Sequence, residues 1–190
     1  MKKGRLLIGL TFMLIGLVLV AIPFFSEWKQ SKELDHLESA LAIVQTGDGA
    51  DLDQLTESSW SVEELEGIME LEIPSIDLKQ YVLPETNEEN LALSLTQIKP
   101  NQNPETDNFT IAGHRGYRGD RHFRQLPEVK VGEELLLHTN DKTYTYIVES
   151  ITIIEANQVE VLDNNDYPEM TLITCTLSGE QRVAVKARLV

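Results

Sequence analysis

Thr171-Leu172-Ile173-Thr174-Cys175, followed by Thr176-Leu177-Ser178-Gly179-Glu180-Gln181-Arg182, is the stretch whose reading decides the fold. An apolar, β-branched run ends on the only cysteine of the protein. A polar turn with Ser178-Gly179 follows, and a second run (Val183, Val185, Leu189) starts directly on Arg182. Runs of this kind bounded by turn residues predict two antiparallel strands joined by a short loop. Such a hairpin brings Cys175 and Arg182 onto neighbouring strands at one end of a sheet. A cation beside a thiol favours the thiolate and stabilises a developing oxyanion. The pair lacks a base nearby in sequence, and His114 is the candidate.

The segments around this hairpin carry the same short-strand pattern. Residues 109–113 read as a buried strand of small and β-branched residues with His114 directly at its end. Residues 134–139 and 142–154 flank a turn at Asn140-Asp141 and form a second hairpin. Met69, Leu71 and Ile73 alternate, Pro74-Ser75 interrupts, and Ile76, Leu78 and Val82 resume, so one strand is bent or divided at the proline. Thr86-Asn87-Glu88-Glu89 has the form of a capping box before Leu91, Leu93 and Leu95, which predicts a short helix capped by Thr86. Residues 100–104 and the stretch between 158 and 170 are polar loops. Seven or eight short strands with few helices predict an all-β dominated domain over 67–190, a single small barrel or sandwich.

Ahead of this domain lie two other kinds of sequence. Residues 6–25 contain no charged side chain. Twenty residues at about 1.5 Å each span roughly 30 Å, the thickness of a bilayer core. The run is too long for a secretory h-region and lacks an Ala-x-Ala pattern after it, so an uncleaved anchor fits better than a cleaved signal peptide. Lys2, Lys3 and Arg5 precede it and Glu27 opens the other flank, which keeps the N-terminus cytoplasmic and the remainder outside. Residues 26–66 then read as a stalk and linker. Leu34, Leu37, Leu41 and Val44 form one helical stripe, suited to a stalk or to packing back on the domain. Residues 46–66 are polar and acidic, with room for a short helix near Ser61 and with Trp60 as a contact to the domain. The expected divisions are therefore 1–25, 26–66 and 67–190.

Charge narrows the partners. Lys and Arg number 16 against 31 Asp and Glu, a formal net charge of -15 at pH 7. Binding a polyphosphate needs clustered basic side chains, so a nucleic-acid partner is excluded. The one local basic patch is Arg115, Arg118, Arg121 and Arg124. A single cysteine forms no internal disulfide and is either buried and inert or reactive.

A cysteine or a histidine at a strand end is by itself more often structural than catalytic. Here Cys175, His114 and Arg182 all fall at strand-to-loop junctions, where fixed geometry meets solvent. Together they supply a nucleophile, an acid/base and a cationic stabiliser, the parts needed for acyl transfer through a thioester. No second Cys or His falls at ligand spacing, so no metal site is expected from these residues. His122 lies eight positions past His114 and ranks well below it as the acid/base. His138 sits in an alternating strand and is expected to be structural, and Arg188 lies too far along the last strand to replace Arg182.

These residues also resemble a known family. Thr171-Leu172-Ile173-Thr174-Cys175 with Arg182 resembles the cysteine signature of the sortases, and Ala112-Gly113-His114 is similar to that family's histidine motif. Ile73-Pro74-Ser75-Ile76-Asp77-Leu78, Glu89-Asn90-Leu91 and Lys130-Val131-Gly132 match in the same order, so the resemblance covers about residues 67–190. It implies an eight-stranded sortase β-barrel with short helices, preceded by a transmembrane helix and stalk. It also implies a cysteine transpeptidase of Gram-positive bacteria that cleaves a Leu-Pro-x-Thr-Gly sorting motif between Thr and Gly. The acyl group then passes to an amine of the cell-wall precursor or a pilin. Carried across, Cys175 is the nucleophile, His114 the acid and later the base, and Arg182 the substrate-orienting cation. Thr174 and Ala112 would shape the site, and Val159, Val161 and Leu162 would wall the pocket for the Leu-Pro portion.

The same resemblance implies no required cofactor. Some class A members use a calcium site between loops, and Glu105, Asp107, Asp163 and Asp166 are the residues available for one here. The short loop between 157 and 170 suits class A or class D. Leu83-Pro84-Glu85-Thr86-Asn87 looks like a sorting motif but reads better as a strand end followed by a helix cap. Two other readings of the thiol remain: a membrane-tethered binding domain with an inert cysteine, and a hydrolase that releases peptides without transfer. An L,D-transpeptidase would place His and Gly directly before the cysteine, unlike Ile173-Thr174-Cys175.

Overall fold

The computed structural model describes residues 2–46, 60–116 and 122–190. Eight strands close into a barrel, as the sequence resemblance implied. They are β1 (Met69–Ile73), β2 (Leu78–Leu83), β3 (Leu95–Gln97), β4 (Asn108–Ala112), β5 (Glu134–His138), β6 (Thr143–Glu155), β7 (Glu169–Cys175) and β8 (Gln181–Leu189). The order around the barrel is β1-β2-β3-β4-β7-β8-β6-β5, and β5 closes the ring against β1. Most neighbours are antiparallel, but β2–β3 and β4–β7 run parallel. Closure removes free sheet edges, so every strand finds its backbone partners within the ring.

The alternation read from the sequence fills the barrel. Leu71, Ile73, Leu95, Phe109, Ile111, Leu135, Leu137, Leu172 and Val185 are completely buried in one core. Tyr146 is buried among them and donates its hydroxyl to the carbonyl of Pro104 at 3.0 Å, so its one polar atom is satisfied. Pro74 does divide the first strand: a 3-10 turn over Pro74–Ile76 separates β1 from β2, with Asp77 in the left-handed region at φ 52°.

The N-terminal part is one continuous helix, α1 (Lys2–Thr46), with Pro23 inside it. The apolar run and the stalk are thus a single element rather than two. Its side chains from Leu10 to Phe25 are largely exposed, and α1 has a stretch long and apolar enough to cross a membrane. Further on, Leu37, Ala40 and Leu41 are buried against Leu65, Ile68, Leu83 and Leu93, so the stripe packs back on the barrel. The predicted short helix exists as α2 (Val62–Glu66), capped by Ser61, and Trp60 packs on the same cluster. Residues 47–59 of the expected linker lie outside the described residues.

One expected cap differs. Helix α3 (Glu88–Leu93) is capped by Asn87, whose side chain accepts from the Asn90 amide at 2.8 Å, and not by Thr86. The Thr86 hydroxyl is instead paired with Thr96 Oγ1 at 2.7 Å and the Gln97 carbonyl at 2.6 Å. A long-range tie to β3 has taken the residue that local pattern assigned to the helix. Leu83 of the sorting-like stretch is buried at the end of β2.

Candidate active site

The cysteine hairpin forms in the predicted register. Cys175 at the end of β7 lies directly opposite Arg182 near the start of β8. Directly opposed residues of an antiparallel pair hold their Cβ atoms about 5 Å apart. Thr176 closes the turn, its amide donating to the Gln181 carbonyl at 2.9 Å, and Gly179 supplies the positive φ of 77° that the turn requires.

The histidine arrives by a different route, the parallel pairing of β4 with β7. Ala112 stands opposite Ile173, and the Gly113 amide donates to the Ile173 carbonyl at 3.1 Å. One residue further along each strand, the Thr174 hydroxyl donates to the Gly113 carbonyl at 2.9 Å in a buried position. His114 and Cys175 are therefore carried level with each other at the same rim. Gly113 allows this approach: a Cβ there would stand 2.5 Å from Leu95 Cδ2 and 2.8 Å from Phe123 Cδ2.

His114 and Cys175 line one cleft of about 170 Å³ with Arg115, Thr176, Leu177 and Gly179. His114 is exposed and Cys175 half-buried, so the thiol is open to a reagent or substrate on the cleft side. Arg182 is half-buried and lies across the hairpin from Cys175, and the cleft is lined without it. Its Nη1 donates to the carbonyls of Gly179 at 3.0 Å and Gln181 at 3.1 Å, which pins the guanidinium on the β7–β8 turn. Nε and Nη2 take no part in those two bonds. A thiol, an imidazole and a guanidinium thus lie at one end of the barrel, the groups that acyl transfer uses.

Other expected residues fall as follows. Thr174 is 2% exposed, so it acts on the site by holding β4 to β7 rather than by touching a ligand. Ala112 is half-buried just before Gly113. Val159, Val161 and Leu162 form a 3-10 turn after β6 in which Val159 is 63% exposed, and the cleft around Cys175 is lined without them. That turn is tied to the barrel through Asn108 Nδ2, which donates to the Val161 carbonyl at 3.1 Å. His138 is bonded to Glu72 and Thr143 within the sheet, and Arg188 pairs with Glu149 and covers the Tyr167 ring. His138 is thus held within the sheet as expected, and Arg188 is engaged further along β8, away from Cys175. Of the basic patch, Arg118 and Arg121 lie outside the described residues.

Among the carboxylates considered for calcium, Glu105 is paired with Lys142. Asp107 accepts from the Asn103 amide at 2.8 Å and from the Asn164 side chain at 3.2 Å. No group of three or more His, Cys, Asp and Glu side chains is arranged to hold a metal among the described residues.

Two features of the site were not read from the sequence. Arg115 joins the cleft beside the imidazole. The His122 ring stands edge-on to that of His114, with centroids 6.2 Å apart, because the Phe123 amide returns to the His114 carbonyl at 3.0 Å and closes the intervening loop. His122 adopts a left-handed φ of 57°, uncommon for a non-glycine residue, with its amide on Gln80 Oε1 at 3.0 Å. Nothing in the spacing of eight residues signals that return.

Known proteins share this domain and fold. A model of the sortase domain matches residues 71–190. Sortase A of Bacillus anthracis is 26% identical over 187 residues, covering 92% of this chain and 89% of that protein. Among solved structures, sortase A of Listeria monocytogenes matches with a TM-score of 0.61 at 29% identity, over 64% of this chain and 86% of its own. A Clostridium perfringens sortase D5 transpeptidase matches with a TM-score of 0.64 over 85% of this chain and 98% of its own. At 24% identity that match speaks to the fold alone.

Proposed function

This chain belongs to the sortase family, and on that premise we propose that it cleaves a Leu-Pro-x-Thr-Gly type sorting motif between Thr and Gly through a thioester on Cys175. Its relatives carry the coarser statement, that it is a cysteine transpeptidase acting at the cell wall. The observation behind the finer one is the shared cleft of His114 and Cys175 with Arg182 directly across the hairpin.

In the first half-reaction the Cys175 sulfur forms a bond to the Thr carbonyl carbon, and the carbonyl oxygen becomes an oxyanion stabilised by Arg182. The carbon–nitrogen bond to Gly then breaks as His114 delivers a proton to the leaving amine. In the second, an amine of the cell-wall precursor or a pilin attacks the thioester carbon. His114 takes its proton, and the carbon–sulfur bond breaks to release the thiolate. Thr174 and Gly113 keep the imidazole level with the sulfur. Val159, Val161 and Leu162, on the exposed turn after β6, lie outside the cleft around Cys175 and would meet the Leu-Pro portion where the peptide extends beyond it. No cofactor is needed for either step.

The apolar part of α1 anchors the enzyme in the membrane, with Lys2, Lys3 and Arg5 on the cytoplasmic side and the barrel outside. Phe25 and Trp28 pack together at the outer end of the apolar stretch, 6.0 Å between ring centroids, as aromatic side chains do at a membrane interface.

The test is incubation with a panel of sorting-motif peptides and amine acceptors, followed by mass analysis of the protein. An acyl adduct on Cys175 is expected. Cys175→Ala and His114→Ala should each abolish cleavage, and Arg182→Ala should slow it by about 10²–10³, the usual cost of one oxyanion donor. Turnover retained by Cys175→Ala would end the thioester mechanism, and a thiol that resists reagents would favour the inert binding domain. Chelation should leave the rate unchanged, since Glu105 and Asp107 are already engaged by Lys142, Asn103 and Asn164. A loss reversed by added calcium would overturn that expectation.

A further inference from the structure

A second cavity, of about 310 Å³, lies between α1 and the barrel. That volume is at the lower end of what small ligands occupy, roughly 300–1,000 Å³. His122 forms one of its walls, and the same imidazole stands edge-on to the His114 ring, 6.2 Å between centroids. The cysteine cleft is lined by His114 and this cavity by His122, so the contact between the two rings links them. Once the thiol is acylated, the first cleft is occupied and a second substrate needs another approach.

The walls have a definite charge. Glu38 of α1 and Glu70 of β1 both act on Tyr81 of β2. Burial first, and then these two carboxylates, push the Tyr81 phenol above its ordinary value, so it stays a neutral hydrogen-bond donor. Lys79 answers Glu70 at 3.2 Å, whereas no ion pair to Glu38 occurs among the described residues. Leu34 and Leu93 provide apolar surface beside the carboxylate. An exposed carboxylate with no ion pair among the described residues, beside part-apolar surface, suits an alkyl ammonium, the ordinary state of a primary amine at neutral pH.

We propose that this cavity docks the incoming acceptor amine, with Glu38 holding its positive charge and His122 positioning it against His114. The inference rests on the acyl-transfer reading above and adds to it where the second substrate enters. His122 is a positioning residue: it orients the amine and the neighbouring imidazole. The docked ammonium gives one proton to solvent, and the neutral amine so formed gives a second to His114 as its nitrogen bonds the thioester carbon and the carbon–sulfur bond breaks. Glu38 confers selectivity for a cation over a neutral nucleophile.

The experiment uses the full chain, the peptide that acylates Cys175 in the panel above, and two nucleophiles. Triglycine is the cationic acceptor, and hydroxylamine is a small nucleophile that is neutral at pH 7.5. For Glu38→Lys the ratio of transfer to triglycine over transfer to hydroxylamine should fall about fivefold through a raised KM for triglycine, the order expected of one partly exposed charge. Glu38→Gln should fall in between. His122→Asn keeps a residue tolerant of left-handed backbone and should lower the same ratio. Equal losses with both nucleophiles would mark a structural effect on His114 and overturn the proposal. No acyl-enzyme in the wild type sinks the acyl-transfer reading and this one with it. A normal acyl-enzyme whose ratio is the same in every variant sinks this one alone.

Discussion

Gly113 shows how the site depends on single atoms. It carries the chain from the last residue of β4 to His114 through a gap bounded by Leu95 and Phe123. Adding one methyl group forces those side chains or the strand to move, which typically costs about 1–3 kcal/mol in a packed core. Gly113→Ala should lower the urea midpoint by that order and slow acyl-enzyme formation, because His114 moves with the strand. Unchanged stability would show that the core yields freely there. Thr174→Val is a milder version, removing the donor to the Gly113 carbonyl at nearly constant volume for about 1 kcal/mol. At this scale the sequence revealed the chemical types. A thiol at a strand end and a histidine at a strand end are visible by inspection. That Gly113 is needed for clearance, and that His122 returns to His114, depends on atoms far along the chain.

Among the elements, the two short helices contrast. Helix α2 follows its local code: Ser61 Oγ accepts from the Glu64 amide at 3.2 Å, and Glu64 accepts from the Ser61 amide at 2.8 Å. The hydrogen bonds from the Ser61 backbone and then its hydroxyl hold the Glu64 carboxyl below its usual value of 4.5. A depressed carboxyl pKa stabilises the fold above the unfolded value and stops doing so as pH falls through the folded one. The contribution is therefore present at pH 7 and fades below about pH 4.5. Ser61→Ala should cost about 1 kcal/mol at pH 7 and less at pH 3, as seen by denaturation at the two pH values. An equal cost at both would exclude the carboxylate's part. Helix α3 departs from its code because Thr86, though in capping position by pattern, is held by β3. Local pattern predicts a cap only where no distant element claims the side chain.

For the molecule as a whole, the barrel and α1 form two packed layers joined by a small core of their own. Leu37 is completely buried where the helix lies on Leu65, Ile68, Leu83 and Leu93. Leu37→Ala should destabilise that contact by about 2–5 kcal/mol, the usual range for a buried leucine, and raise hydrogen exchange in α2 before it does so in β7. Simultaneous loss of protection in both would mean that helix and barrel unfold as one unit.

The sequence carried seven of the eight strands, their turns, and the facing of Cys175 and Arg182, but not β3, whose Leu95 reads there as part of the short helix. Those rest on alternation and on a short loop, where neighbours in space are also neighbours in the chain. It also marked an apolar segment of membrane length and a helical stripe without saying what the stripe would cover. Only the tertiary structure decided that β4 runs parallel to β7, which sets His114 beside a thiol 61 positions away. It likewise decided that α1 packs on the barrel and that the His122 ring stands against His114. Parallel pairing and helix docking are settled by which closed arrangement buries the most apolar surface, a property of the assembled ring that leaves no local trace.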